Sequence, residues 1–163
     1  MLKQINKNLI DKIYKEKTSK TKTFFSLNSK VAGETFKSKI NKIRNILKRY
    51  KADFLFVSAP ENVAWLLNIR GSDNPNSPIP NCRLIIGKDK ELFLITQKEK
   101  TLKIIKDKKL SKKQIINPKK FKSLINRLKG YKFIIDPLSC SLLNEILLNQ
   151  ILKLLIKMTL VTN

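Results

Sequence analysis

The chain has 163 residues, enough for one domain with a real core of sheet and helices, and 42% of them are hydrophobic, which excludes a disordered chain despite 29% charge. The formal net charge is +23, with 35 basic against 12 acidic residues. Only Arg44, Arg49, Arg70, Arg83 and Arg127 are arginine; base and phosphate readers favour Arg forks interleaved with aromatics, so loose, salt-sensitive binding of polyanions is expected and specific nucleic-acid recognition is not.

In chain order, residues 2–14 predict a short amphipathic helix with Leu2, Ile5, Leu9, Ile10 and Ile13 on one side, followed by a basic connector to Lys22. The charged N-terminus lacks an apolar signal core, and no window approaches the ~18 uninterrupted apolar residues of a membrane span, so a cytoplasmic protein without a membrane partner is expected. Phe36, Ile40, Ile43, Leu47 and Tyr50 recur at helical steps and predict a buried stripe, with Lys37, Lys39, Lys42 and Lys48 on solvated faces. Asp53–Val57 reads as a central strand buried on both sides.

Glu61 to Pro80 holds the only Trp and three of the six prolines. Val63, Leu66 and Leu67 at i, i+3 and i+4 after Pro60 predict a short helix, with Trp65 as a core anchor. Gly71 and the prolines after it force turns, so Arg70, Ser72 and Asp73 should stand on a rigid loop beside the sheet. An Arg fork and a carboxylate three residues apart can brace such a loop by pairing or present a polar face to another domain.

Leu84–Ile86 and Leu92–Ile95 around Gly87–Lys90 predict a hairpin. Leu102, Ile105 and Leu110 mark a helix, Gln114–Ile116 a brief strand, and Phe121, Leu124, Ile125 and Leu128 a helix capped by Gly130. Phe133–Ile135 is a strand closed by Asp136 and Pro137, and Leu142, Leu143, Ile146 and Leu147 begin a last helix. This order is that of an α/β fold, a mixed β-sheet flanked by helices.

The run Asn62-Val-Ala-Trp-Leu-Leu-Asn-Ile-Arg-Gly-Ser-Asp73, followed by Pro75 and Pro78, resembles the signature of the second, non-catalytic domain of three-domain Xaa-Pro aminopeptidases (aminopeptidase P) in the creatinase/prolidase group. Asp11-Lys-Ile-Tyr14 and Ala32-Gly33-Glu34 with Lys39 are similar to further family text. The resemblance covers residues 1–150. It implies a creatinase/prolidase N-terminal fold, a linker from a preceding domain over 1–22, the domain itself over 23–150, and an atypical tail over 151–163. It also implies that the loop of Arg70, Gly71, Ser72, Asp73 and Asn74 faces a catalytic pita-bread domain and shapes access for short Xaa-Pro peptides, and that the parent enzyme could form a homodimer. The tail departs from the family: one back-translation of Ile156–Thr162, read one nucleotide earlier, continues into the family's Asp-Asp-Pro text, so a frameshift is expected.

The chain has no histidine, which removes Ser-His and Cys-His nucleophiles and His-bearing zinc sites. Cys82 and Cys140 lack metal-ligand spacing and read as reduced thiols. Asp53, Glu61 and Asp136 suit capping, helix-dipole and turn roles. The family's two bridged divalent ions, expected to be manganese, are held in its catalytic domain, and no residue here inherits that site. The expectation is a non-catalytic middle domain, inactive alone. The alternatives are a free-standing peptide-binding or pseudo-enzyme module, or a basic nucleic-acid-binding domain.

Overall fold

The computed structural model describes residues 22–157, with Lys153–Lys157 given by backbone alone. The expected helix over 2–14 and the last residues of the tail lie outside the described residues.

The chain enters through β1 (Phe25–Ser26) and a helical turn, α1 (Ser29–Ala32), whose Asn28 side chain accepts from the Lys30 N–H. Thr35 then caps α2 (Phe36–Arg49) by accepting from the Ser38 N–H, and Lys48 and Arg49 in the last turn complement the helix dipole. The predicted stripe is the packed one. Ile40 and Leu47 are buried, and Phe36 and Ile43 pack beside them.

After α2 come β2 (Phe54–Val57), α3 (Pro60–Leu67), β3 (Ile69–Arg70) and the hairpin β4 (Arg83–Gly87) and β5 (Leu92–Ile95). They are followed by α4 (Leu102–Lys106), β6 (Ile115–Ile116), α5 (Phe121–Arg127), β7 (Lys132–Ile135), α6 (Leu142–Ile151) and β8 (Lys153–Lys157). Six strands form one mixed sheet in the order β6-β5-β4-β2-β7-β8. β4 pairs antiparallel with β2 on one side and β5 on the other, whereas the β5–β6, β2–β7 and β7–β8 pairings are parallel.

Period-two alternation sorts the core onto the two sheet faces. Leu55, Val57, Leu84, Ile86, Leu94 and Ile134 meet α2 and α3, whereas Phe54, Phe56, Ile85, Ile95, Phe133 and Ile135 meet α5 and α6. The result is the expected mixed sheet between helices.

Four features go beyond the expected elements. The stretch after the hairpin is a four-residue 3-10 turn followed by the five-residue α4; Ile104 faces the core and Leu102 faces solvent, because a helix that short rotates its face with the turn that feeds it. In α6 the buried side is Asn144, Leu148 and the partly buried Leu147 and Ile151, so the stripe that opens with Leu142 and Leu143 faces solvent. This helix is apolar on both sides, and spacing alone cannot choose between them. α6 runs to Ile151, and the chain continues as the edge strand β8, paired in parallel with β7. Finally, β1 and β3 form a separate antiparallel two-stranded ribbon, with Phe25 opposite Arg70, that no pattern announced.

Candidate functional site

The loop from Gly71 to Cys82 is built on the end of α3. That helix starts with Pro60 at its first position and Glu61 in its first turn, and stops at Asn68, which adopts the left-handed conformation (φ 48°). Asn68 is the centre of a knot. Its side-chain oxygen accepts from Lys39 Nζ at 2.8 Å, its amide donates to Glu34 O at 2.7 Å, and its carbonyl accepts from Lys109 Nζ at 2.8 Å. Lys39 also donates to Trp65 O at 2.9 Å, so ammonium groups add a second bond to carbonyls at the helix end that already accept from the N–H groups of Asn68 and Leu27. Burial pulls both ammonium groups below their usual titration range, opposed by Glu34 at Lys39 and by Asp107 at Lys109.

This knot corrects two expectations. Lys39 is 2% exposed, not part of a solvated face, and Trp65 is 47% exposed, not a core anchor. At 100° per residue Trp65 lies opposite the Val63, Leu66 and Leu67 face, and its ring instead lies over Lys39 Nζ, 4.0 Å from the ring centroid.

Arg70 leaves β3 pointing back toward α3, donating from Nη1 to Ile69 O at 2.9 Å and to Ala64 O at 3.3 Å. The Arg70 and Asp73 pairing is therefore not made. Asp73 is braced from elsewhere: Oδ1 receives Lys100 Nζ at 2.6 Å and Oδ2 receives the Asn81 N–H at 2.6 Å, with both side chains of the ion pair about 15% exposed. One carboxylate thus ties the start of the loop to its end and to the turn after β5. Gly71 completes the closure. Its N–H donates to Pro78 O at 3.0 Å, and a Cβ there would sit 2.7 Å from Pro80 Cα and 3.1 Å from the Phe24 ring.

Beyond Asp73 the loop turns at Asn74, whose side chain accepts from the Asn76 N–H and which bridges to Ser77. Gly71, Ser72, Asn74 and Pro75–Pro78 wall an open concavity of about 350 Å3 beside Phe25 and Lys22. Ser72, Asn74 and Asn76 are exposed, so the wall offers amide and hydroxyl groups on a stiff frame. That chemistry suits hydrogen bonding to another polypeptide.

Elsewhere the ionisable groups have structural work. Cys82 is buried and donates to Pro80 O, and burial, with Asp73 adding to it, pushes its thiol up to about 12, which leaves no thiolate at neutral pH. Asp136 forms its turn by accepting from the Leu138 N–H and the Ser139 hydroxyl. Among the described residues no group of three or more His, Cys, Asp or Glu is placed to hold a metal ion, so the residues present do not fit a two-metal centre. Among the described residues no helix is long and apolar enough to cross a membrane. Of the cations that fix the loop and the helix end before it, Lys39 stands out in sequence only through its resemblance to family text, and nothing in the sequence separates Lys100 and Lys109 from the other lysines.

A family model for the creatinase/prolidase N-terminal domain matches residues 15–159. The chain belongs to that family. The match spans the described domain, including β8. Xaa-Pro aminopeptidase 1 of Dictyostelium discoideum is 33% identical over 98 residues, covering 55% of this chain and 16% of its own length. Xaa-Pro aminopeptidase ApepP of Drosophila melanogaster is 34% identical over 93 residues, covering 56% of this chain and 15% of its own. This creatinase/prolidase N-terminal domain therefore spans about one sixth of the length of the curated relatives it matches. Its fold is that of part of the X-prolyl aminopeptidase of Caenorhabditis elegans, described as a cytosolic enzyme with a di-nuclear active site: TM-score 0.69 at 23% identity, over 83% of this chain and 23% of that one.

Proposed function

We propose that this domain is the non-catalytic module of a metal-dependent Xaa-Pro aminopeptidase in the cytosol, inactive by itself, whose 71–78 loop shapes the approach of short peptides with proline second to a catalytic domain outside the described residues. The observation that carries the reading is the brace at Asp73. A carboxylate held by Lys100 and by the Asn81 N–H makes the loop a fixed wall, which a shaping surface requires and a mere connector does not. The relatives' names supply the peptide class, and the reading assigns the two divalent ions, manganese expected, to the catalytic pita-bread domain. Contact between copies of a complete enzyme would be a further scaffold role.

Two assays test this. The purified chain with an Xaa-Pro peptide and manganese is expected to give no turnover, and turnover would overturn the inactive assignment. A Dictyostelium Xaa-Pro aminopeptidase 1 in which this chain replaces the matching segment is expected to hydrolyse the peptide. In that chimera Asp73→Ala should raise KM roughly tenfold with kcat little changed, as loss of uniform substrate binding does. An unchanged KM would remove the loop from substrate approach. The amide-lined concavity of about 350 Å3 also favours a second reading, a free-standing peptide-binding module; saturable binding of an Xaa-Pro peptide to the isolated chain would select it.

A further inference from the structure

Four of the large hydrophobic side chains that face solvent lie within nine residues of each other. Leu138 and Leu143 are 79% exposed, Leu142 is 71% and Ile146 is 46%. Leu142 and Ile146 are one helical turn apart on α6, Leu143 flanks them, and Leu138 lies on the turn just before. Single exposed apolar residues need no explanation, but a contiguous group of this kind marks a surface that another body covers.

The charge pattern supports the same conclusion. No Lys or Arg occurs between Lys132 and Lys153, in a chain with 35 of them. An apolar centre without basic residues is the composition of an interface core. It is also the wrong surface for RNA or an anionic bilayer, both of which would need cations here. A second copy of the chain is disfavoured too, since each copy carries a formal charge of +23.

We infer that the exposed face of α6, with Leu138, Leu142, Leu143 and Ile146, is the docking surface for the metallopeptidase domain that follows this module in its relatives. The inference rests on the proposed function and deepens it by naming the contact. Position in the fold favours that occupant over others. The face belongs to the last helix and leads into β8, the edge strand, so a domain that follows an N-terminal module emerges beside it. The loop at 71–78 and the α6 face then have different tasks, one lining the peptide approach and the other holding the two domains together.

The test mixes the full chain with the part of Dictyostelium Xaa-Pro aminopeptidase 1 that follows its matching segment, produced separately, and follows association by titration calorimetry and sedimentation. Saturable binding is expected, weakened at least tenfold by L142E/L143E and by L138E, and unchanged by L102E on α4, whose leucine is exposed away from this face. Circular dichroism and thermal melts should show all variants folded, because the replaced side chains face solvent, and L138E lies outside the helix should L142E/L143E disturb it. Equal binding by wild type and variants overturns the assignment of the face alone. No binding beside an active chimera overturns the docking proposal and leaves the proposed function standing, whereas no binding beside an inactive chimera removes both. A concentration-dependent dimer of the chain that L142E/L143E abolishes would make a second copy the occupant and overturn the proposal.

Discussion

Asp53 is the residue at which three strands are tied together. Its backbone N–H donates to Lys132 O at 2.8 Å, its carbonyl accepts from the Lys88 N–H, and its carboxylate takes the Lys132 N–H at 2.9 Å and Lys88 Nζ at 2.7 Å. Burial by itself would raise its carboxyl, but the bonds from Lys132 and Lys88 outweigh that and hold it below the ordinary 3.8. A folded-state value below the unfolded one means that the unfolded chain binds more protons at acid pH. The stabilisation is then whole above the ordinary value and disappears as the pH falls through the folded one. Asp53→Asn should therefore lower the urea midpoint at pH 7, with the gap to the wild type closing as the pH falls from 7 through and below 3.8. A gap that stayed constant over that range would mean that the carboxylate's charge has no part in the tie.

At the scale of elements, the α2 stripe, β2, the hairpin and α5 were legible because a single apolar face or a short buried run left one choice. Trp65 is legible in principle too, since the spacing that buries Val63, Leu66 and Leu67 turns position 65 outward, whereas its size alone points to the core. The α6 face was not legible, because Leu142, Leu143 and Ile146 and Leu147, Leu148 and Ile151 make two apolar faces and only the tertiary partner, the α5 side of the sheet, selects one. The loop was legible as a rigid turn through Gly71 and its prolines. Its brace was not, since Lys100 reaches Asp73 across 27 positions and no local pattern connects them. Closure of that loop can be tested at Gly71, where the obstacle to a side chain is the Pro80 backbone and not a flexible tip. Gly71→Ala should cost about 1–3 kcal/mol, the range of overpacking in a close-packed site. Gly33→Ala is strained for a different reason, its φ of +75° with open space around it, and should leave the 71–78 loop undisturbed. Amide exchange at Gly71 and Ser77, faster in Gly71→Ala and unchanged in Gly33→Ala, would separate loop closure from general destabilisation.

For the molecule as a whole, the dominant long-range quantity is charge. Twelve carboxylates cannot pair 35 cations, and the ion pairs at Asp53, Asp73 and Glu34 use lysines already fixed in turns or on α2. The remaining ammonium groups repel one another more in the compact state than in the expanded one, a destabilising term that is not specific to any contact. Screening removes it. The Debye length falls from about 30 Å at 10 mM salt to about 8 Å at 150 mM, shorter than the distance across a domain of this size. Sodium chloride over that interval should raise Tm by about 2–4 °C, equivalent to roughly 1 kcal/mol for a chain of this length. Chloride is the right anion, since sulfate strengthens burial by exclusion and would confuse the two effects. The same screening should release the chain from heparin, because binding through scattered lysines falls steeply with salt. The two curves share one cause, so a Tm that stayed flat while heparin retention persisted beyond 200 mM salt would point to a built anion site in place of diffuse charge, and would reopen the nucleic-acid reading that the lysine-for-arginine composition argues against.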